Sequence, residues 1–229
     1  MEKTNLELTI LMPCLNEEAN IADSINGAMS FLTANNISGE ILISDNGSTD
    51  NSIKIASDLG ARVISEPTKG YGNALRRGIS SALGTYIIMG DCDTTYDFTN
   101  LMPFLSELRN GADFVIGNRY AGGIEKGAMP FSHQYLGVPF LSFMGRIKYK
   151  TNIRDFHCGL RGFKKDYALN LNLTSTGMEF ATEIIAKSTK SKAVIKEVPT
   201  TLSKSNSPRK PHLRTLRDGF RHLLYILKN

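Results

Sequence analysis

The amino-acid sequence predicts an α/β fold with a mostly parallel central sheet and flanking helices. Three observations lead to this prediction: short apolar runs of strand length, intervening segments with apolar residues at helical spacing, and turn residues at the junctions. A strand, a helix and a second strand in succession form a parallel pair with the helix on one face of the sheet. The chain has 229 residues, of which 41% are hydrophobic, and this is enough for one large domain or two small ones.

The first half of the chain contains the elements of this fold in order. Apolar runs predict strands at 6–12, 40–44, 62–65, 85–89 and 113–117. Helical spacing of apolar residues predicts the intervening helices at 21–32, 49–59, 72–83 and 98–109. Asn16 is a candidate N-cap of the first helix, and Gly60 and Gly84 end the second and third.

The second half follows this alternation less strictly. A glycine-rich stretch at 121–130 predicts a loop, and the polar, proline-containing stretch at 203–211 predicts a mobile segment. The other predicted elements are a helix at 131–150, a helix at 178–187 and a strand at 194–198. We predict one domain over 1–211, followed by an amphipathic basic helix at 212–229 that is either membrane-proximal or packed on the domain.

The basic residues are concentrated at the end of the chain. Residues 187–229 hold eleven Lys and Arg against two acidic residues, whereas 1–186 hold sixteen basic and twenty acidic residues. A basic segment of this kind binds nucleic acid, anionic lipid or a phosphorylated substrate, or is simply a solvated face. Aromatic residues do not alternate with the basic ones as they do in proteins that stack on bases, so we expect no nucleic-acid partner.

The cysteines and the apolar stretches indicate the compartment. The three cysteines, Cys14, Cys92 and Cys158, are far apart and form no CxxC pair, which argues against disulfides and structural zinc and is typical of a reducing compartment. The first residues do not have the pattern of a signal peptide, and no stretch approaches the ~20 apolar residues that span a bilayer. We therefore expect a cytoplasmic protein.

Polar clusters follow three of the predicted strands, at 13–17, 45–48 and 91–93. The carboxyl ends of parallel strands form the ligand-binding edge of such a sheet, so these clusters are expected to meet. Asp91 and Asp93 come directly after an apolar strand, and carboxylates are the ligands that Mg²⁺ and Mn²⁺ prefer beside substrate phosphates. Asp45 and Glu17 either contact a ligand or stabilise the following helix.

These clusters resemble the motifs of family 2 glycosyltransferases. Four motifs occur at the spacing of that family: Pro13-Cys14-Leu15-Asn16-Glu17-Glu18, Ser44-Asp45-Asn46-Gly47-Ser48-Thr49-Asp50, Lys69-Gly70-Tyr71-Gly72-Asn73-Ala74 and Gly90-Asp91-Cys92-Asp93. Three later motifs are similar to the branch that contains dolichyl- and polyprenyl-phosphate sugar synthases: Gly117-Asn118-Arg119-Tyr120, Asp155-Phe156-His157-Cys158-Gly159-Leu160-Arg161-Gly162-Phe163 and Gly177-Met178-Glu179-Phe180. The resemblance covers nearly the whole chain.

The resemblance implies a GT-A fold, which is a Rossmann-like nucleotide-diphospho-sugar transferase fold, with a UDP-glucose or GDP-mannose donor. The residues that it places around the donor nucleotide are Pro13, Leu15, Glu17, Asp45, Lys69, Gly70 and Asn73. It implies that Asp93 binds Mg²⁺ or Mn²⁺ and that Asp91 contacts the ribose or the metal's water shell. Members of the branch often have a glutamine ligand where this chain has Thr95, so water is expected to complete the shell.

The acceptor that the resemblance implies is a lipid phosphate, reached by a peripheral enzyme at the cytoplasmic face of the membrane. A phosphate oxygen is already an anion and needs no general base, but it needs cations, for which Arg119, Arg161 and the basic tail are candidates. A sugar hydroxyl acceptor instead requires a carboxylate base, with Glu179 as first and Asp155 as second candidate. Surface ion pairs for the arginines and a helix-terminal role for Glu179 are equally open. A membrane-protein partner and self-association are open as well.

Overall fold

The computed structural model describes residues 6–205 and 215–229. Over those residues the strands are β1 (Leu8–Cys14), β2 (Gly39–Asp45), β3 (Arg62–Ser65), β4 (Tyr86–Met89), β5 (Phe114–Asn118), β6 (Arg161–Lys164) and β7 (Ile195–Pro199). The helices are α1 (Ile21–Ala34), α2 (Ser52–Asp58), α3 (Tyr71–Ser81), α4 (Met102–Arg109), α5 (Arg119–Gly122), α6 (Val138–Tyr149), α7 (Lys165–Asn170), α8 (Phe180–Lys190) and α9 (Thr215–Lys228). A π-helical turn, His133–Gly137, runs directly into α6.

All seven of these strands form one sheet, in the order β3-β2-β1-β4-β6-β5-β7. Neighbouring strands are parallel from β3 to β4, and β5 and β7 are also parallel. Only β6 runs antiparallel, between β4 and β5. The predicted α/β fold with a mostly parallel sheet is therefore confirmed.

The central strands are apolar because both faces of the sheet are covered. In β1 the side chains of Leu8, Ile10, Leu11 and Met12 are all fully buried, as is typical of a parallel strand between two layers of helices. Each such side chain contributes about 1.5–3 kcal/mol relative to an exposed one. The core thus holds rigid the strands whose ends carry the polar clusters.

Three features near the sheet differ from the sequence prediction. The short strand β6 and the helix α7 were not predicted. The four residues of β6 begin with a buried arginine, Arg161, instead of an apolar run. Asn16 was wrongly assigned as the N-cap of α1, which begins five residues later at Ile21. Instead, Asn16 adopts a left-handed backbone conformation (φ 56°) and its Oδ1 accepts a hydrogen bond from the Thr49 amide at 2.7 Å.

The C-terminal helix α9 packs against α6 and α8. Its buried face carries Asp218, His222 and Ile226, which are spaced four residues apart and therefore share one side of the helix. The predicted boundary between 211 and 212 lies outside the described residues. None of the helices within 6–205 and 215–229 is long and apolar enough to cross a membrane.

Two histidines join α9 to the body of the protein. The His222 ring lies edge-on to that of His157, with 4.4 Å between the ring centroids, and its Nδ1 is 2.8 Å from the Thr182 hydroxyl. Burial lowers the pKa of His222 to about 4, with a smaller opposing effect from the nearby Glu179 carboxylate. Burial also places the pKa of His157 well below its usual value, and the neighbouring His222 adds to this. Both rings are therefore neutral at pH 7.

We expect this pair to make the protein less stable in mild acid. The unfolded chain takes up protons near pH 6.5, while the buried rings do not, so stability is fully present above pH 6.5 and falls as the pH decreases towards 4. Melting temperatures measured from pH 7 to pH 4 should show this slope, and the slope should be shallower in His222→Asn. The matched control is His133→Asn on the π-helical turn. Equal slopes in all three proteins would contradict the prediction.

Candidate functional site

The three polar clusters meet at one edge of the sheet. Strands β1, β2 and β4 are neighbours and run parallel, so their carboxyl ends lie side by side. Cys14 is paired with Asp45 in the register of β1 and β2. On the other side of β1, the Cys92 thiol lies 3.3 Å from the Pro13 carbonyl oxygen. The expectation that these clusters come together is met.

Asp45 organises the loop after β2. It is buried, and its carboxylate accepts hydrogen bonds from the amides of Gly47 at 3.0 Å and Ser48 at 3.1 Å. Next to it, Glu17 is buried, with its amide donating to the Ser52 hydroxyl at 2.7 Å. Both acids therefore lie at the predicted nucleotide-binding edge, and Asp45 also has the turn-forming role that the sequence left open.

The predicted residues at 69–73 pack against this loop. The Lys69 ammonium donates to the carbonyls of Asn46 and Gly47, at 3.0 and 3.1 Å. The Asn73 amide group donates to the Lys69 carbonyl at 3.2 Å, and the Gly70 amide donates to the Asn46 side chain at 2.7 Å. Asn46 was not singled out from the sequence. An asparagine inside a turn motif was the available signal, since its side chain can donate and accept at once.

Glycine is required where the chain enters α3. Gly70 has φ 144°, and a Cβ at this position would lie 2.2 Å from the Thr176 carbonyl oxygen. That same oxygen accepts a hydrogen bond from the Gly72 amide at 3.0 Å, so the 175–176 segment packs against the start of α3. A side chain at Gly70 cannot be accommodated without moving this backbone.

We therefore expect Gly70→Ala to destabilise the protein by about 3 kcal/mol, through backbone strain and the clash with Thr176. Gly60→Ala is the matched control, because Gly60 also has a positive φ (82°) but nothing lies within 4 Å of the added Cβ. It should lose only about 1–2 kcal/mol. Denaturant unfolding of both variants measures the difference, and equal losses would show that the contact with Thr176 is unimportant.

Asp91 and Asp93 lie in the loop after β4. Burial together with the charges of Asp93 and Glu17 raises the pKa of Asp91 to about 7, and the nearby Tyr71 hydroxyl opposes this shift. Asp93 Oδ1 accepts hydrogen bonds from the Thr95 amide at 3.1 Å and the Thr95 hydroxyl at 2.5 Å. Its Oδ2 has no hydrogen-bonding partner among the described residues. Thr95 thus orients the Asp93 carboxylate.

This arrangement fits a divalent cation held jointly with a ligand. Excess negative charge is concentrated at Asp91, Asp93 and Glu17, and carboxylate oxygens are ligands that Mg²⁺ and Mn²⁺ accept. Within 6–205 and 215–229 there is no group of three His, Cys, Asp or Glu residues that could hold a metal alone. A cation at Asp93 would therefore need oxygens from water or a diphosphate to complete its shell.

The two arginines proposed for an acceptor phosphate are engaged in internal contacts. Arg119 forms a buried bidentate ion pair with Asp155, with both N–O distances at 2.7 Å. Arg161 is 1% exposed and donates to three carbonyl oxygens, those of Phe156, Cys158 and Ala181, each at 2.8 Å. In this structure Arg119 has the ion-pair role that the sequence left open, but buried rather than at the surface.

Glu179 directly precedes α8, as predicted, but its carboxylate is paired. It accepts hydrogen bonds from Nε and Nη2 of Arg221 on α9, both at 2.6 Å. Burial alone would raise the pKa of Glu179, but the hydrogen bonds from Arg221 outweigh it and the pKa is lowered. Arg221 lies 42 residues from Glu179, so no local spacing in the sequence connects the two residues.

The known proteins to which this chain is similar in sequence include named glycosyltransferases. A sequence profile described as "Glycosyl transferase family 2" matches residues 9–171. The hexosyltransferase Agl6 of Haloferax volcanii, described as acting in low-salt glycan biosynthesis, is 38% identical over 97% of this chain and 53% of its own length. The glycosyltransferase AglJ of the same organism is 32% identical over 92% of this chain and 67% of its own. The chain thus spans about half the length of Agl6.

A solved structure shows the same fold. Glucosyl-3-phosphoglycerate synthase from Mycobacterium tuberculosis, crystallised with Mn²⁺, UDP and glucosyl-3-phosphoglycerate, superposes with a TM-score of 0.73 over 98% of this chain and 80% of its own. At 20% identity this likeness concerns the fold, and it confirms the GT-A architecture. The profile match over residues 9–171, together with the strand-end motifs, establishes that the chain belongs to glycosyl transferase family 2.

Proposed function

We propose that this protein is an inverting, metal-dependent hexosyltransferase that moves glucose or mannose from UDP-glucose or GDP-mannose to a polyprenyl or dolichyl phosphate. The observation that carries the proposal is the meeting of Asp91 and Asp93 with the Asp45 loop at one sheet edge. Relatives support it: a Haloferax volcanii protein named dolichyl-phosphate hexose transferase is 29% identical over 77% of this chain and 75% of its own.

The donor half of the proposal follows from the residues at the sheet edge. Mg²⁺ or Mn²⁺, when bound, supplies Lewis-acid stabilisation of the leaving diphosphate. Asp93, oriented by Thr95, would hold that ion through its remaining oxygen, and Asp91 would hold the ribose or the water shell. The buried loop built by Asp45 and Asn46 would receive the nucleoside, with Pro13, Leu15 and Glu17 on its other side.

The pairing of Glu179 favours a phosphate acceptor over a hydroxyl. A general base must accept a proton near neutral pH, but Glu179 has a lowered pKa and both of its oxygens bind Arg221. Asp155 is buried and bound by Arg119 in the same way. A phosphate oxygen needs no such base, so the absence of a free base at these two positions is compatible with a lipid phosphate.

An exposed apolar stripe supports an acceptor in a membrane. Large apolar side chains on the π-helical turn, on α6 and just before them face solvent: Phe131, Tyr135, Leu136, Phe140, Phe143 and Ile147. Phe131 is 74% exposed, and the Arg146 guanidinium lies 5.9 Å from the Phe143 ring centre. Apolar side chains flanked by cations suit the interface of an anionic membrane, where a polyprenyl phosphate is presented.

The proposal is tested by donor binding followed by transfer. Melting temperatures are measured with UDP-, GDP- and dTDP-sugars, with and without Mn²⁺, because a ligand that binds only the native state raises the melting temperature. The donor that gives a Mn²⁺-dependent rise is then radiolabelled and incubated with polyprenyl phosphate in vesicles. A lipid-linked sugar is the expected product. Glycosylation of a free saccharide without any lipid product would refute the proposal.

A glycan hydroxyl is the second candidate acceptor. It is favoured by the position of Glu179 at the start of α8 and by the relative named for glycan biosynthesis. Glu179→Gln distinguishes the two candidates: near-complete loss of turnover with a saccharide acceptor supports a catalytic base, whereas a largely unchanged kcat for polyprenyl phosphate at saturating acceptor supports the lipid acceptor. The thermal stability of the variant is measured alongside, since Glu179 also holds α9.

A further inference from the structure

Three arginines near the site differ in how much of each guanidinium is available to a ligand. The Arg119 side chain is 8% exposed and paired with Asp155, and all three nitrogens of Arg161 donate to backbone carbonyls. The Arg221 side chain is 32% exposed, and its Nη1 has no partner among the residues that the structure describes. Arg221 is therefore the one of these three with both exposure and unused donors.

A short series of contacts links Arg221 to the loop that carries Asp91 and Asp93. Its Nη2 is 3.5 Å from the Thr176 hydroxyl, and a Cβ added to Gly177 would lie 2.6 Å from the same nitrogen. The Thr176 carbonyl accepts a hydrogen bond from the amide of Gly72 in the first turn of α3, and the preceding residue, Tyr71, lies near Asp91. The Arg221 guanidinium thus lies beside the 175–176 segment, which packs against the start of α3 on the donor side of the site.

Glu179 fixes the direction of this guanidinium. Two hydrogen bonds of 2.6 Å hold the Nε and Nη2 edge in the plane of the carboxylate, and the Gly177 amide donates to the same carboxylate at 3.2 Å. A fork held along one edge presents its other edge, Nη1, in a defined direction. An arginine ordered in advance loses less conformational entropy when an anion binds to it.

We propose that Arg221, held in place by Glu179, binds the phosphate of the acceptor. This inference rests on the proposed function, which supplies a phosphate as the acceptor group. It assigns the specificity for an anionic acceptor to the C-terminal helix instead of to Arg119 or Arg161. Glu179 is then a positioning residue that acts through Arg221.

The test uses a short-chain isoprenyl phosphate that is soluble without a membrane, so that lipid docking does not enter. The full chain is assayed as wild type, Arg221→Gln, Arg221→Lys and Arg217→Gln. Arg217 is exposed on the same helix, one turn earlier, and is the matched control. Transfer to the isoprenyl phosphate is measured alongside hydrolysis of the donor sugar by water in the absence of acceptor.

Arg221→Gln is expected to raise the KM for the isoprenyl phosphate about tenfold or more, because a charged hydrogen-bonding partner is lost. Donor hydrolysis and the donor KM should stay within about twofold of wild type. Arg221→Lys keeps the charge without the fork and should lie between the two, and Arg217→Gln should match wild type. If Arg221→Gln does not fold, the raised acceptor KM of Arg221→Lys is the test.

The results that overturn the inference are distinct from those that overturn the proposed function. An unchanged acceptor KM in Arg221→Gln, or an equal loss of transfer and donor hydrolysis, shows that Arg221 is only structural. A raised KM in Arg217→Gln of the same size shows a general charge effect and also refutes the assignment. A wild-type protein that never glycosylates the isoprenyl phosphate refutes the proposed function itself, and the inference fails with it.

Discussion

Replacing Asp93 with alanine is expected to reduce sugar transfer by about 10³-fold or more. In the proposed mechanism Asp93 is the protein's more secure ligand to the cation that stabilises the leaving diphosphate, and 10³-fold corresponds to about 4 kcal/mol of transition-state stabilisation. The Thr95 hydroxyl at 2.5 Å and amide at 3.1 Å orient its carboxylate, and alanine removes this oriented ligand. The Mn²⁺-dependent rise in melting temperature with donor should disappear together with activity.

The matched control for Asp93 is Asp97→Ala in the same loop. Asp97 is exposed, and its carboxylate accepts hydrogen bonds only locally, from the Thr99 amide at 2.8 Å and the Thr99 hydroxyl at 2.6 Å. We expect this variant to retain activity within about threefold and to keep the Mn²⁺ effect. Turnover in Asp93→Ala that is comparable with Asp97→Ala would show that Asp93 does not bind the cation.

Replacing Asp155 with alanine is expected to destabilise the protein by about 3–5 kcal/mol. The substitution leaves the Arg119 guanidinium charged inside the protein, where its side chain is 8% exposed, and removes two hydrogen bonds of 2.7 Å. A third hydrogen bond, from the Arg119 amide to the same carboxylate, is also lost. At about 2–4 °C per kcal/mol for a chain of this size, the melting temperature should fall by roughly 10 °C.

The control for Asp155 is an exposed ion pair of the same type. Lys54 and Asp58 are four residues apart on α2, with side chains 74% and 62% exposed, and Asp58→Ala should change stability by no more than about 0.5 kcal/mol. A double variant, Arg119→Met with Asp155→Leu, should recover most of the loss, since it leaves no buried charge unpaired. A small loss in Asp155→Ala, similar to Asp58→Ala, would show that Arg119 readily reaches solvent or another partner.

Local patterns were sufficient to predict most of the sheet and its ligand-binding edge. Each of the strands β1 to β5 is an apolar run flanked by turn residues, and parallel strands place their carboxyl ends together whatever the details of packing. The meeting of the Asp45 loop with Asp91 and Asp93 follows from these facts alone. The strand β6 escaped prediction because it is short, begins with a buried arginine and runs against its neighbours.

Such local patterns could not predict pairing between residues that are far apart in the sequence. Arg119 and Asp155 lie 36 residues apart, and Glu179 and Arg221 lie 42 apart, with nothing in their spacing to connect them. From the sequence, Arg119, Arg161 and Glu179 had several roles open, because a charged residue has the same identity whether it is buried, paired or free. Contacts made in the folded chain decide among these states.

Neighbouring residues carry the information for the α/β class and for the polar residues at the sheet edge, since periodicity and turn chemistry are local, and the motifs at their spacing carry the family resemblance. Which charges remain available depends on the folded chain, because desolvation and ion pairing depend on the residues that folding brings close. In the folded protein, Arg119 and Arg161 are engaged in internal contacts, whereas Arg221 on the last helix binds Glu179. The orientation of Arg221, the residue proposed to bind the acceptor phosphate, is therefore set by packing.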